Sequence, residues 1–162
     1  MMKKVTLIVA LFVLLGFSMA LAGELRAYTE ATPMTFDEYL TQFDYKARKH
    51  MKIKSKELIA LLKEGKAVLV DIRFKEEPGA WRMGIGTFIP LNELPKRYKE
   101  LPKDKIIVTA CPHKDRSNIA AQFLRLKGYD AKYLTDGLLG MAENLRGDNA
   151  KAFVKKTGVD VP

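Results

Sequence analysis

Apolar positions along the chain follow three different spacings, and each marks a different kind of element. Val5 to Phe17 is almost wholly apolar. Phe36, Tyr39, Leu40 and Phe43 recur at helical spacing behind Thr35-Phe36-Asp37-Glu38, a capping box, so one helix is predicted there. Ile53 sits in a short extended segment, and Ser55 is read as the N-cap of a second helix through Leu58, Ile59, Leu61 and Leu62, stopped by Gly65. The run Ala67-Val68-Leu69-Val70-Asp71-Ile72 is short, apolar and β-branched, as expected of a strand covered on both faces. Lys105 to Ala110 repeats that pattern, and Ala131 to Leu134 gives another strand. Helical patterns follow both: Ser117 to Lys127, ended by Gly128, and a short helix through Leu138, Met141 and Leu145 after the turn Thr135-Asp136-Gly137. Asp148 to Lys156 forms a last helix stopped at Gly158.

Phe74 to Gly86 is the least regular stretch, with a turn at Pro78-Gly79 and Trp81 expected to cap the core. Thr87 to Pro90 is a short strand, and Leu91 to Leu101 reads as a helix broken by Pro95 and Pro102. Gly84-Ile85-Gly86 lacks a third glycine and leads toward a strand instead of opening a helix, which argues against a dinucleotide fingerprint. Strands alternating with helices imply an α/β domain with a central, mainly parallel sheet flanked by helices on both faces, preceded by one extra N-terminal helix.

The start of the chain is of another kind. Lys3 and Lys4 form a positive region before the apolar run, and Ala20-Leu21-Ala22 is a small-residue cleavage pattern. Residues 1–22 therefore read as a secretory signal, 23–50 as a polar lead and helix, and 51–162 as the main domain with its C-terminal helix. The expected compartment is outside the cytoplasm, the periplasm in the first instance. The alternative is an uncleaved anchor with the domain on the same outer side, since Val5 to Ala22 falls just short of the ~20 residues a spanning helix needs.

Removing Lys3 and Lys4 from the 28 basic residues leaves 26 against 19 acidic ones, a net charge of +7. Such a balance often signals nucleic acid, but export argues against that partner. The basic stretches Lys46 to Lys66 and Lys96 to Lys105 read as solvated faces, with an anionic membrane surface or the steering of small anions as lesser readings.

Cys111 is the chain's single cysteine. In an oxidising compartment cysteines usually pair as disulfides, so one left over points to intermolecular pairing or to a working thiol. It stands where an apolar strand delivers the chain into Cys111-Pro112-His113-Lys114-Asp115-Arg116-Ser117, a basic turn feeding a helix. Nearby cations, amides and a helix N-terminus make a thiol reactive. The catalytic nucleophile is thus Cys111, with His113, Lys114, Asp115, Arg116 and Ser117 as its substrate-binding turn. Arg116 offers a planar fork for the oxygens of an anion and Lys114 a flexible point charge, whereas Asp115 is expected to turn outward or pair with a base. Ser117 is read as the helix N-cap, Asp71 and Arg73 as supports at the exit of the neighbouring strand, and His50 as without a role. No His, Cys and carboxylate cluster has metal-ligand spacing, and no metal or organic cofactor is implied.

The ordered set Val70-Asp71-Ile72-Arg73, Ile89-Pro90-Leu91-Asn92-Glu93-Leu94, Cys111 with Arg116 and Ser117, Lys127-Gly128-Tyr129-Asp130 and Leu134-Thr135-Asp136-Gly137-Leu138 resembles a single-domain rhodanese over about Met51 to Arg146. The resemblance implies a persulfide-forming cysteine in a cradle of backbone amides. The expected activity is transfer of sulfane sulfur from thiosulfate or a similar anionic donor to cyanide, a thiol or an exported acceptor protein. The chain departs from the family pattern at Lys114, where glycine is common, at Pro112, which has no N–H, and at Trp81 to Gly86, where a glycine-histidine pair is missing. Two competing functions stay open: a phosphatase or arsenate reductase using the same kind of cradle, and a persulfide-carrying or binding module without turnover. The first group carries five residues between cysteine and arginine, against the four from Pro112 to Asp115 here.

Overall fold

The computed structural model describes residues 32–160. The expected export signal over 1–22 and most of the polar lead fall outside the described residues. Within them the chain builds one sheet of five strands: β1 (Lys52–Ile53), β2 (Ala67–Asp71), β3 (Thr87–Phe88), β4 (Ile106–Ala110) and β5 (Ala131–Leu134). They lie in the order β1-β5-β4-β2-β3, and every neighbouring pair is parallel. Parallel neighbours need long crossovers, and the helices supply them.

Period-two alternation sorts the strand residues onto two faces. On one face Val70 and Ile72 of the β2 segment and Ile107 beyond the start of β4 meet Ala120, Leu124 and Leu94; on the other, Ala67, Leu69, Val108 and Ala110 meet Leu58, Leu138 and Met141. The helices that supply those partners are α3 (Ser55–Lys63) and α7 (Gly137–Asn144) on the second face, and α5 (Leu94–Arg97) and α6 (Asp115–Leu126) on the first. The predicted two-sided α/β sheet is therefore the observed one.

Local differences from the sequence reading have physical causes. Among the described residues two helices precede β1 instead of one: α1 (Phe36–Thr41), with the Thr35–Glu38 capping box in place, and α2 (Tyr45–His50), capped by the Asp44 carboxylate accepting from Ala47 N–H at 2.7 Å. The second buries no residue, so it leaves no apolar stripe in the sequence. Ser55 is the first residue of α3 and not its cap; its N–H donates to the Asp136 carboxylate at 3.1 Å, which ties α3 to the turn before α7. Pro95 lies in the first turn of α5, where its missing N–H costs nothing, and a 3₁₀ turn over Tyr98–Glu100 completes the stretch read as a broken helix. The irregular segment contains a short helix, α4 (Glu77–Ala80), and Gly147–Thr157 forms α8, closed by Gly158 at φ +68°. No helix of the described residues is long and apolar enough to cross a membrane.

Candidate active site

Cys111 follows the last residue of β4, at the carboxyl end of the central strand, where sites in parallel sheets collect. Asp71 at the end of β2 is registered with Ala110, one residue before the cysteine, and Ile72 N–H donates to Ala110 O at 3.0 Å. The two strand exits read from the sequence are thus neighbours.

The turn after Cys111 is held from below by α7. Leu138 N–H donates to Cys111 O at 2.8 Å and Leu139 N–H to Pro112 O at 3.4 Å, so the first amides of α7 are spent on the loop carbonyls. This approach needs Gly137: its φ is +64°, and a Cβ there would collide with the carbonyl oxygens of Pro112 and His113. Sequence reading had Gly137 only as part of a turn and of the family pattern. Its load-carrying contact joins segments 25 residues apart in sequence, which no local pattern reveals.

Above the turn stands the N-terminus of α6. The helix begins at Asp115 with Lys114 as N-cap, and its first backbone bond runs from Asn118 N–H to Lys114 O at 2.9 Å. The amides of Asp115, Arg116 and Ser117 therefore precede the ladder and face the start of the helix, where anionic sulfur is favoured. Lys114 has φ −150°, and among the described residues only glycines have positive φ. The loop accommodates lysine by following a path that needs no left-handed residue there. Ser117 is the third helical residue, not the N-cap; it is buried and its hydroxyl donates to Lys114 O at 2.9 Å, closing the same turn from inside.

Cys111 is completely buried as a residue, within the apolar cluster of the α6 face. Its Sγ lies 3.9 Å from Asp115 Oδ1, a long contact in which the thiol donates. Asp115 is exposed and lies within electrostatic reach of the base Arg116, while its Oδ1 stays 3.9 Å from the sulfur. Its place in the first turn of α6 suits a negative group, which the helix dipole favours. His113 and Lys114 are exposed on the rim of the turn.

Arg116 stays within electrostatic reach of Cys111 and Asp115, but its fork is taken by Glu77. Its Nη1 and Nη2 donate to Glu77 Oε2 and Oε1 at 2.6 and 3.0 Å, a bidentate pair, and its guanidinium lies 5.2 Å from the Phe74 ring. The hydrogen bond from Arg116 is the main cause that holds the Glu77 carboxyl below its usual range, and the same bond raises the arginine. The fork assigned from sequence to the donor is, in this structure, filled by a carboxylate of the irregular segment. Glu77 gave no sequence signal, because it lies 39 residues away in a stretch without periodicity.

Asp71 and Arg73 brace that segment. Arg73 is completely buried; its Nε and Nη2 donate to the Asp71 carboxylate at 2.9 and 2.6 Å, and its Nη1 donates to Trp81 O at 3.1 Å. The guanidinium also stacks 4.0 Å from the centre of the Trp81 ring, which is half-buried against the second core cluster. A desolvated arginine is tolerable only when its donors are filled, and here they pin the segment that carries Glu77. His50, read as without a role, is engaged as well: its Nε2 lies 2.9 Å from Asp130 Oδ1. Among the described residues no group of three His, Cys or carboxylate side chains could hold a metal ion.

A family model for the rhodanese-like domain matches residues 54–144. Solved structures agree in fold. A rhodanese-related protein from Thermoplasma volcanium is 26% identical with a TM-score of 0.52, over 57% of this chain and 90% of that one. A human single-domain sulfurtransferase is also 26% identical with a TM-score of 0.51, over 57% and 96%. The reduced CoADR-RHD protein of Bacillus anthracis is 30% identical with a TM-score of 0.52, over 58% of this chain; the match spans only 17% of that longer protein. With its parallel sheet, its cysteine at the exit of β4 and this match over more than half its length, the chain belongs to the rhodanese-like domain family.

Proposed function

We propose that the chain is a sulfurtransferase that moves sulfane sulfur from thiosulfate or a similar donor to a thiophilic acceptor through a persulfide on Cys111. The observation that carries this reading is the placement of the one cysteine between two helix N-termini: α7 fixes the loop carbonyls, and the amides of Asp115, Arg116 and Ser117 precede the backbone ladder of α6. The human relative named a sulfurtransferase supports the same chemistry.

In the first half-reaction the Cys111 thiolate attacks the outer sulfur of thiosulfate, the S–S bond of the donor breaks with its electron pair leaving on sulfite, and a persulfide remains. In the second, cyanide or a thiol attacks the outer sulfur and the electron pair returns to Cys111. Negative charge stays on sulfur throughout, so fixed amide donors can stabilise it without a proton moving. His113 and Lys114 attract the donor at the rim, whereas Asp115, 3.9 Å from the sulfur, opposes a second negative charge and narrows the range of anions accepted. The four residues between Cys111 and Arg116 make a ring suited to one sulfur atom, which favours sulfur transfer over the removal of phosphate or the reduction of arsenate. An exported enzyme would meet thiols or other exported proteins as acceptors, and we take those as the natural ones.

Purified protein is assayed with thiosulfate and cyanide beside a phosphate ester, and its mass is measured after thiosulfate treatment. The expected result is turnover with thiosulfate alone and one added sulfur on the wild type, with both lost in Cys111→Ser while its circular dichroism is unchanged. A fully active serine variant, or a wild type that never gains sulfur, would sink the persulfide mechanism. Faster turnover of the phosphate ester would favour the competing reading.

A further inference from the structure

At the far end of α6 from Cys111, α1 carries most of its apolar side outward. Phe36, Tyr39 and Leu40 fall within an arc of about 100° on that helix, and Asp37, Glu38 and Thr41 lie on the opposite side. Phe43, just past the helix, joins the arc: its ring stands 5.8 Å from that of Tyr39, which in turn is 6.5 Å from Phe36. The apolar surface is thus contiguous. Only Tyr39 is covered, with its ring 5.7 Å from the Arg125 guanidinium near the end of α6. Phe36, Leu40 and Phe43 stay exposed, and Tyr45 at the start of α2 is 89% exposed. Met34 N–H donates to Leu126 O at 3.1 Å, so the start of α1 is tied to the domain.

Among the described residues, half of the exposed large apolar side chains stand in this ten-residue stretch, whereas ordinary surfaces scatter them singly. A basic segment follows at once. Residues 36–56 hold six lysine and arginine side chains against three acids, Asp37, Glu38 and Asp44. Two of those acids are spent on the helix starts: Glu38 accepts from Thr35 N–H and Asp44 from Ala47 N–H, both at 2.7 Å. Arg48 and Lys49, in the last turn of α2, are exposed. Exposed aromatic and aliphatic side chains beside cations are the composition of a segment that lies in a membrane interface. The sequence upstream supplies a bilayer within reach, because eighteen residues, 18–35, separate the patch from the apolar run Val5 to Phe17. Fully extended, they span at most about 60 Å.

We propose that this patch is a membrane-surface site, in which Phe36, Leu40, Phe43 and Tyr45 enter the headgroup boundary of an anionic bilayer and Arg48 and Lys49 meet its phosphates. The site is separate from sulfur transfer and does not require Cys111. The catalytic turn stands about 18 Å off along α6 and remains open to substrates.

The chain beginning at Gly23 keeps every described strand, helix and core residue and lacks the apolar run, so it tests the patch alone. It is sedimented with vesicles of phosphatidylcholine, with and without about one third phosphatidylglycerol. Binding to the anionic vesicles is expected, weakening as salt rises. Phe36→Ser/Leu40→Ser should lower it about tenfold or more with circular dichroism unchanged. Phe88→Ser/Ile119→Ser, which removes two exposed apolar side chains elsewhere, should change it less than about twofold. Arg48→Gln/Lys49→Gln should cost about tenfold on the anionic vesicles and flatten the salt dependence; if the Phe36/Leu40 variant unfolds, this pair decides. Absence of binding to the anionic vesicles overturns the proposal, as does an equal loss in the two apolar variants or undiminished binding by the Arg48/Lys49 variant. So does a dimer in sedimentation velocity without vesicles that Phe36→Ser/Leu40→Ser dissolves, which would assign the patch to a second copy of the chain.

Discussion

Arg116 presents two claims on one side chain: a fork for sulfonate oxygens and a bidentate tie to Glu77. Substitution separates them. Arg116→Lys keeps the charge but loses the planar geometry, and a lost hydrogen bond to a charged group is worth roughly 1.5 to 3 kcal/mol. The thiosulfate specificity constant should therefore fall on the order of tenfold, measured at two salt concentrations because a close contact is screened little. Glu77→Gln leaves the guanidinium in place with its counter-charge removed, and the constant should hold or rise. An equal fall in both variants would show that Arg116 acts only by tying down the segment around Glu77. Stability gives a second reading of the pair. Because the folded-state value of Glu77 is depressed, its contribution is present at neutral pH and is lost as the pH drops through that lowered value. Glu77→Gln should thus cost about 1 kcal/mol in urea unfolding at neutral pH, and the difference should shrink in acid.

At the scale of elements, the site is a junction of three chain segments. β4 delivers Cys111, α6 starts above it and α7 holds it from beneath, with Gly137 as the point of closest approach. Gly137→Ala places a Cβ where the loop carbonyls stand and adds the cost of a positive φ, together about 1 to 3 kcal/mol of destabilisation. Most of the core lies outside that turn, Leu138 and Met141 of α7 being two members of one of the two large clusters, so the variant should remain folded while sulfur transfer falls by more than tenfold. Thermal unfolding and the thiosulfate assay measured on one preparation check this; unchanged activity would mean that the loop does not depend on α7 for its shape. Asp71 and Arg73 act at the same scale, as a buried pair bridging β2 to the irregular segment through Trp81 O.

For the whole molecule, the sheet runs from Lys52 to Leu134 and the family match covers 54–144, while the apolar run over Val5 to Phe17 lies upstream of both. We propose that this run exports the domain, which agrees with a single unpaired cysteine kept as a working thiol. Protein recovered from its native compartment should then begin near Gly23 when its N-terminus is sequenced. A membrane-bound chain still starting at Met1 or Met2 would establish the anchored form.

Periodicity alone determined the elements and their class: alternating apolar runs and helical stripes report which side of each element is buried, and burial is a local constraint repeated along the chain. The single cysteine at a strand exit was legible for the same reason, because the strand and the turn that follows it are contiguous in sequence. α2 stayed hidden because nothing on it is buried. The caps read at Ser55 and Ser117 stand one and three residues earlier, at Lys54 and Lys114, and neither helix start is capped by a serine hydroxyl. Only the tertiary structure decided that Glu77 fills the fork of Arg116 and that Gly137 supports the loop. Each of these is a contact between groups distant in sequence, where the energy depends on distance and desolvation, and neither quantity exists until the chain has folded.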